Sequence, residues 1–128
     1  VRVLLDTHTF LWWISESSKL SETAREVITD ERNEVFFSVV SGWEIVIKAG
    51  MRKLELPDEP DKFVTEQLSR NDVEVLPIHL RHVFHVHALP DHHRDPFDRL
   101  LVAQANVEGL PLVSADPEIS RYPVETVW

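Results

Sequence analysis

Val1-Arg-Val-Leu-Leu-Asp6-Thr-His-Thr-Phe-Leu-Trp-Trp-Ile14 is the stretch that decides the fold. Residues 1–5 are apolar apart from Arg2 and read as a buried strand. Residues 7–14 read as a short helix. Asp6 stands at the junction, where an apolar run meets a helix start. A strand that feeds directly into a helix, repeated along a chain, implies a parallel sheet with helices on both faces.

The same junction recurs three times. VFFSVV at 35–40 reads as a second strand, and Ser41 opens a helix through about Met51 that carries Glu44. HHRDPFDRLLVAQA leads into a helix over 96–108 that carries Asp98, with Gly109 placed as its C-terminal cap. Leu112 to Ser114 reads as a strand, followed by Asp116. Between these, Ser21 is the expected cap of a helix in SETAREVITDE, and Pro57 and Pro60 break the chain ahead of a helix over 61–69. Val73 to Leu76 reads as a short strand, 78–89 as helical, and 123–128 as an edge strand. No repeat, low-complexity tract or linker interrupts the chain. The expectation is one domain over 1–128, a three-layer α/β/α fold with a parallel sheet of four or five strands.

With 128 residues there is room for one core, and 43% apolar and 27% charged residues are ordinary for a globular protein. There is no cysteine, which excludes disulfides, thiolate zinc sites and a cysteine nucleophile. The apolar runs are too short to span a bilayer and no secretory pattern is visible, so the expected location is cytoplasmic. The net charge of −9 does not attract nucleic acid through a global field. A nucleic-acid substrate would need a local basic rim or a metal, and the charge favours a basic protein partner.

In a parallel sheet all carboxyl ends of the strands share one edge, so Asp6, Glu44, Asp98 and Asp116 are expected to converge there. Packed carboxylates repel unless a cation lies among them, which points to Mg²⁺ or Mn²⁺. Each acid also fits a capping role. Asp6 fits the cap of the first helix. Ser41-Gly-Trp-Glu44 fits a capping box. Asp95-Pro96-Phe-Asp98 fits a cap with proline at the first helical position, and Asp116-Pro117 repeats that pattern. Capping accepts Ser, Thr, Asn or Asp and so does not require four acids; Asp95 alone is read mainly as a cap.

His79, His82 and His85 recur every three residues, but no carboxylate partners stand beside them as a zinc site requires. His92 and His93 precede the Asp98 helix. Of Trp12 and Trp13, one is expected in the core and the other nearer the surface. Lys48 either pairs with Glu44 one turn away or joins Arg52, Lys53, Arg94 and Arg99 in a basic rim.

LLDTHTFLWW, SGWEIVIKAGMRKLEL, HHRDPFDRLLVAQA and LVSADPEISRYP together resemble the four motifs of PIN-domain ribonucleases, in particular the VapC-type toxins of bacterial toxin–antitoxin pairs. The resemblance runs over essentially the whole chain, and HRDPFDRLLVAQA is its most specific part. It implies a PIN-like fold and an endoribonuclease in which Asp6, Glu44, Asp98 and Asp116 are the catalytic, metal-binding acids. It implies Mg²⁺, with Mn²⁺ as the alternative, and products with 5′-phosphate and 3′-hydroxyl ends. Its implied partners are RNA, a cognate antitoxin and a second copy in a homodimer. Ser114 is a candidate for bonding a metal-bound water or the phosphate. An RNA-processing enzyme without an antitoxin is the alternative within the family. A Mg²⁺-binding receiver-like signalling module is a rival class, but it wants a lysine where Asp116 stands. A haloacid-dehalogenase-like phosphohydrolase wants D-x-D, and Asp6-Thr7-His8 fails at its third position. The chain has no GxGxxG, P-loop or G-x-S-x-G pattern.

Overall fold

Leu4 and Leu5 are both fully buried although adjacent in a strand, so both faces of that strand are covered. The computed structural model describes residues 1–92 and 94–128; His93 lies outside the described residues. Strand β1 (Arg2–Leu5) is central, and β2 (Glu34–Ser38), β3 (Glu74–Leu76), β4 (Leu112–Val113) and β5 (Thr126–Val127) complete one sheet in the order β3-β2-β1-β4-β5. All four pairings are parallel.

Alternation along the strands divides the core in two. Val3, Leu5, Val35, Phe37 and Val113 face helices α1 (Thr7–Ile14), α2 (Glu22–Thr29) and α4 (Pro60–Arg70) through Phe10, Ala24, Ile28 and Val64. Leu4, Phe36 and Leu112 face α6 (Pro96–Glu108) and the end of α5 (Leu80–Val86). Helix α3 (Val39–Gly50) contributes Val40 to this second cluster and Ile45 to the first. The result is the expected three-layer α/β/α domain, with five strands. In α6 the run Leu101 to Ala105 is buried on every side. Fully burying one leucine side chain is worth about 1.5–3 kcal/mol, so this helix anchors its whole layer.

The helix ends follow local chemistry. Ser21 Oγ accepts from the Ala24 amide at 3.0 Å. Asp95 Oδ1 accepts from the Phe97 and Asp98 amides, Pro96 occupies the first turn, and Gly109 adopts the left-handed conformation (φ 67°) that closes α6.

Several boundaries differ from the sequence reading, among them β5, which spans Thr126–Val127 and not 123–128. Helix α3 starts at Val39, not Ser41, and its cap is Ser38, whose hydroxyl accepts from the Val40 amide at 2.9 Å. The β-branched pair Val39-Val40 reads as strand, but burial of Val40 outweighs that weak preference. The Ser41–Glu44 capping box is therefore not formed. Helix α5 is confined to Leu80–Val86 because His79 is extended and caps it. A short 3₁₀ turn, Ile119–Arg121, had no sequence signal and packs Ile119 into the core. Among the described residues no helix is long and apolar enough to cross a membrane.

Candidate active site

The chain runs from β1 to β2 to β3 on one side of the sheet, then returns past β1 to lay down β4 on the other. The reversal leaves a crevice between β1 and β4 at the carboxyl edge, the position where open α/β sheets bind ligands. Asp6 closes β1 and Asp116 follows β4. A cleft of about 320 Å³ lies between them, lined also by His8, Trp12, Ala115 and Pro117.

Asp6 is 5% exposed. Its amide donates to the Val113 carbonyl, and its Oδ1 accepts from the Thr9 amide at 2.7 Å. It is thus the α1 cap, and it is also buried at the crevice. Burial pushes its carboxyl pKa up; hydrogen bonds from Ser114 and Thr9 and the charge of His8 only partly offset this. Ser114 serves both acids of the cleft. It lies against the Asp6 carboxyl and accepts from the Asp116 amide at 3.1 Å. Asp116, half-buried, accepts from the Glu118 amide through Oδ1.

Glu44 and Asp98 form a second pair. Glu44 lies inside α3 at 2% exposure, with Oε2 held by Lys48 Nζ at 2.5 Å. Its Oε1 is buried and has no hydrogen-bond partner among the described residues. Asp98 is half-buried in the first turn of α6. Burial works against the charged form of Lys48, but Glu44, then Asp95 and Asp98, outweigh it, so the Lys48 pKa is raised. One ammonium therefore answers three carboxylates from two helices. The two pairs are joined by the buried bond from Thr7 Oγ1 to Ser41 Oγ at 2.9 Å.

Asp6 and Asp116 thus share the crevice, while Glu44 and Asp98 are tied to each other through Lys48. Among the described residues no three Asp, Glu or His side chains stand close enough together to hold a metal ion as they are. The donor set nevertheless suits a hard divalent cation. It is all oxygen, it includes two buried carboxyl groups, and one buried oxygen of Glu44 lacks a partner.

The structure decides several sequence readings, correcting some and bearing out the pairing of Lys48 with Glu44. Arg99 is not part of a basic rim. Its guanidinium donates to the carbonyls of Pro90 and Val86 and to the Tyr122 hydroxyl, tying down the turn before α6. Lys48 is committed to Glu44. His82 is fully buried, with Nε2 at 2.7 Å from Glu108 and Nδ1 accepting from the His79 amide, so it closes the α5–α6 contact. Trp12 and Trp13 are both half-buried rather than divided between core and surface. The sequence reading missed Thr7, Thr9, Ser41, His8 and Gln104. A threonine three residues after a capping Asp was the available signal for Thr9. Nothing local marks Gln104, which is fully buried and accepts from the Ser38 hydroxyl while donating to the Pro77 carbonyl.

The profile of the PIN domain family matches residues 3–125. The chain belongs to the PIN-domain family. Ribonuclease VapC22 of Mycobacterium tuberculosis is 31% identical over 131 residues, which is 98% of each chain, so this PIN domain is of the VapC type. Two solved structures share its fold. VapBC2 from Rickettsia felis, bound to a DNA fragment from its promoter, superposes with TM-score 0.72 at 17% identity over 98% of this chain and 97% of that one. FitAcB from Neisseria gonorrhoeae gives 0.61 at 15% identity, covering 97% and 95%.

Proposed function

We propose that this PIN domain, a single unit over residues 1–128, is a metal-dependent endoribonuclease that acts in the cytoplasm as the toxin of a toxin–antitoxin pair. The observation that carries the reading is the pairing of Asp6 and Asp116 across the crevice between β1 and β4, supported by buried Glu44, whose Oε1 has no hydrogen-bond partner among the described residues. The relative named as a ribonuclease and the family membership support the same activity.

Asp6, Asp98, Asp116 and Glu44 would hold Mg²⁺ or Mn²⁺. When bound, the ion supplies an activated water and offsets charge on the phosphate in the transition state. The chain's own part is positional. Thr9 and Ser114 fix the Asp6 carboxyl at the cleft through hydrogen bonds. Ser114 keeps Asp6 and Asp116 in register through its bonds to both, and its expected role toward a metal-bound water or the phosphate belongs to the same proposal. Lys48 holds positive charge between Glu44 and Asp98 and limits how strongly these acids repel one another.

An antitoxin partner is supported by the solved VapBC2 and FitAcB assemblies and by the charge of −9, which suits a basic segment. Trp43, Val46, Ile47, Leu80 and Phe84 are exposed and supply apolar surface for protein contacts, antitoxin or second copy. The test is to map cleavage of total cellular RNA with Mg²⁺, with Mn²⁺ and with chelator, in wild type and Asp6→Asn. Metal-dependent cleavage lost in the variant is expected. Cleavage that persists with chelator removes the metal mechanism. Cleavage without growth arrest on expression makes the protein an RNA-processing enzyme instead of a toxin.

A further inference from the structure

His8 has no place in the acid set, yet with Trp12 it lines two neighbouring spaces. One is the cleft between Asp6 and Asp116; the other is a groove of about 620 Å³ that runs between α1, α3 and the 53–57 segment. His8 is exposed, and its ring lies 5.7 Å from the Trp12 indole at an interplanar angle of 35°. Trp12 is held in turn by Trp128 edge-on at 5.7 Å and by the Lys19 ammonium at 5.9 Å from its ring. An exposed imidazole thus rests on an indole that is itself fixed on other sides.

Because His8 and Trp12 line both the Asp6–Asp116 cleft and the adjoining groove, a base flanking a phosphate held in that cleft would meet this wall. The chain carries a net charge of −9, so its grip on RNA cannot come from a general basic field. Stacking on aromatic rings is the alternative source of affinity, and it is how single-stranded RNA bases are held. Past His8 the groove displays Lys53, exposed and without an ion pair among the described residues, in a position suited to a further phosphate.

We propose that His8, backed by Trp12, is a nucleobase-stacking subsite that holds the base next to the scissile phosphate. The proposal rests on the ribonuclease reading above and adds the side chains that position the substrate. The experiment is steady-state cleavage of a short single-stranded RNA containing a mapped cleavage site. It compares wild type, His8→Ala, His8→Phe, and Trp12→Leu, each checked for folding by its thermal melt. His8→Ala should raise KM about ten-fold, the scale of one lost base stack, with kcat nearly unchanged. His8→Phe keeps a flat ring without charge and should restore KM. Trp12→Leu should raise KM through loss of the backing ring. The proposal is overturned if KM is unchanged in His8→Ala, or if His8→Phe binds as poorly as His8→Ala. It is equally overturned if the loss falls on kcat with a displaced pH profile, which would make His8 a proton-transfer group. If all variants keep the wild-type KM but bind the antitoxin less tightly, the aromatic pair belongs to a protein interface. If the wild type itself cleaves no RNA, the ribonuclease reading fails and takes the subsite with it.

Discussion

Replacing Lys48 by methionine changes the charge balance of the site without altering any of the four acids. Methionine keeps much of the aliphatic stem, so the perturbation is the loss of the ammonium. Glu44 is buried, its Oε1 has no partner, and its Oε2 is held by Lys48. Removing one partner of a fully buried ion pair costs ~3–5 kcal/mol, whereas exposed pairs are worth ~0–1 kcal/mol. The Lys48 side chain is 34% exposed and that of Glu44 is 3% exposed. Water therefore reaches one partner and not the other, and the cost should fall between these limits, at about 2 kcal/mol. For a domain of this size that lowers Tm by roughly 5–10 °C. Adding Glu44→Gln to Lys48→Met removes the stranded charge and should recover part of the loss. A divalent cation supplies the positive charge that Glu44, Asp95 and Asp98 have lost, so Mn²⁺ should raise the Tm of Lys48→Met by more than it raises that of wild type. Urea unfolding and thermal melts with and without Mn²⁺ measure each quantity. A variant as stable as wild type would show that Glu44 does not depend on Lys48. An equal Mn²⁺ response in the two proteins would place the cation away from this pair.

Asp95→Asn keeps a capping oxygen for the Phe97 and Asp98 amides, so its urea midpoint should barely move. Asp98→Asn should stay folded yet lose RNA cleavage by several orders of magnitude, because a ligand that positions the ion is gone; wild-type cleavage by a folded Asp98→Asn would refute the site. Gln104→Leu leaves the Ser38 hydroxyl and the Pro77 carbonyl without this partner, and each unsatisfied buried group costs about 1–3 kcal/mol; urea denaturation would expose the error if stability held. The Glu108 pKa is lowered, first by its hydrogen bond with His82 and then by Arg81. Because the folded value lies below the ordinary 4.5, the stability it contributes is full above that pH and is lost as pH falls through the lowered value. Glu108→Gln should therefore flatten the acid limb of the stability–pH curve, and an unchanged limb would remove Glu108 from it.

The layered architecture could be read from the sequence because each element carries its own signal. Apolar runs gave the strands, Ser21 and Asp95 gave caps, and Gly109 gave the end of α6 almost to the residue. The placement of acids at strand ends was also legible, since parallel topology alone brings Asp6 and Asp116 to one edge. The side-chain roles at that edge were less legible. Ser38 rather than Ser41 caps α3 because tertiary burial of Val40 decided where the helix began. Gln104 reaches Ser38 across 66 positions in the chain, and no local pattern encodes so distant a contact. Arg99 looked like a free cation because a sequence does not show which carbonyls a guanidinium will meet.

The position of β1 between β2 and β4 has a consequence for how the chain is made. β1 is made before β2 and β4, and it gains one neighbour when residues 34–38 follow it. Its other edge stays open until Leu112 and Val113 emerge, long after β2. An unpaired parallel edge of that kind is prone to wrong pairing while it waits. The crevice between Asp6 and Asp116 does not exist until that pairing forms. A growing or truncated chain that stops before β4 therefore has Asp6, Glu44 and Asp98 but no crevice, and synthesis itself withholds the cleft until β4 is made.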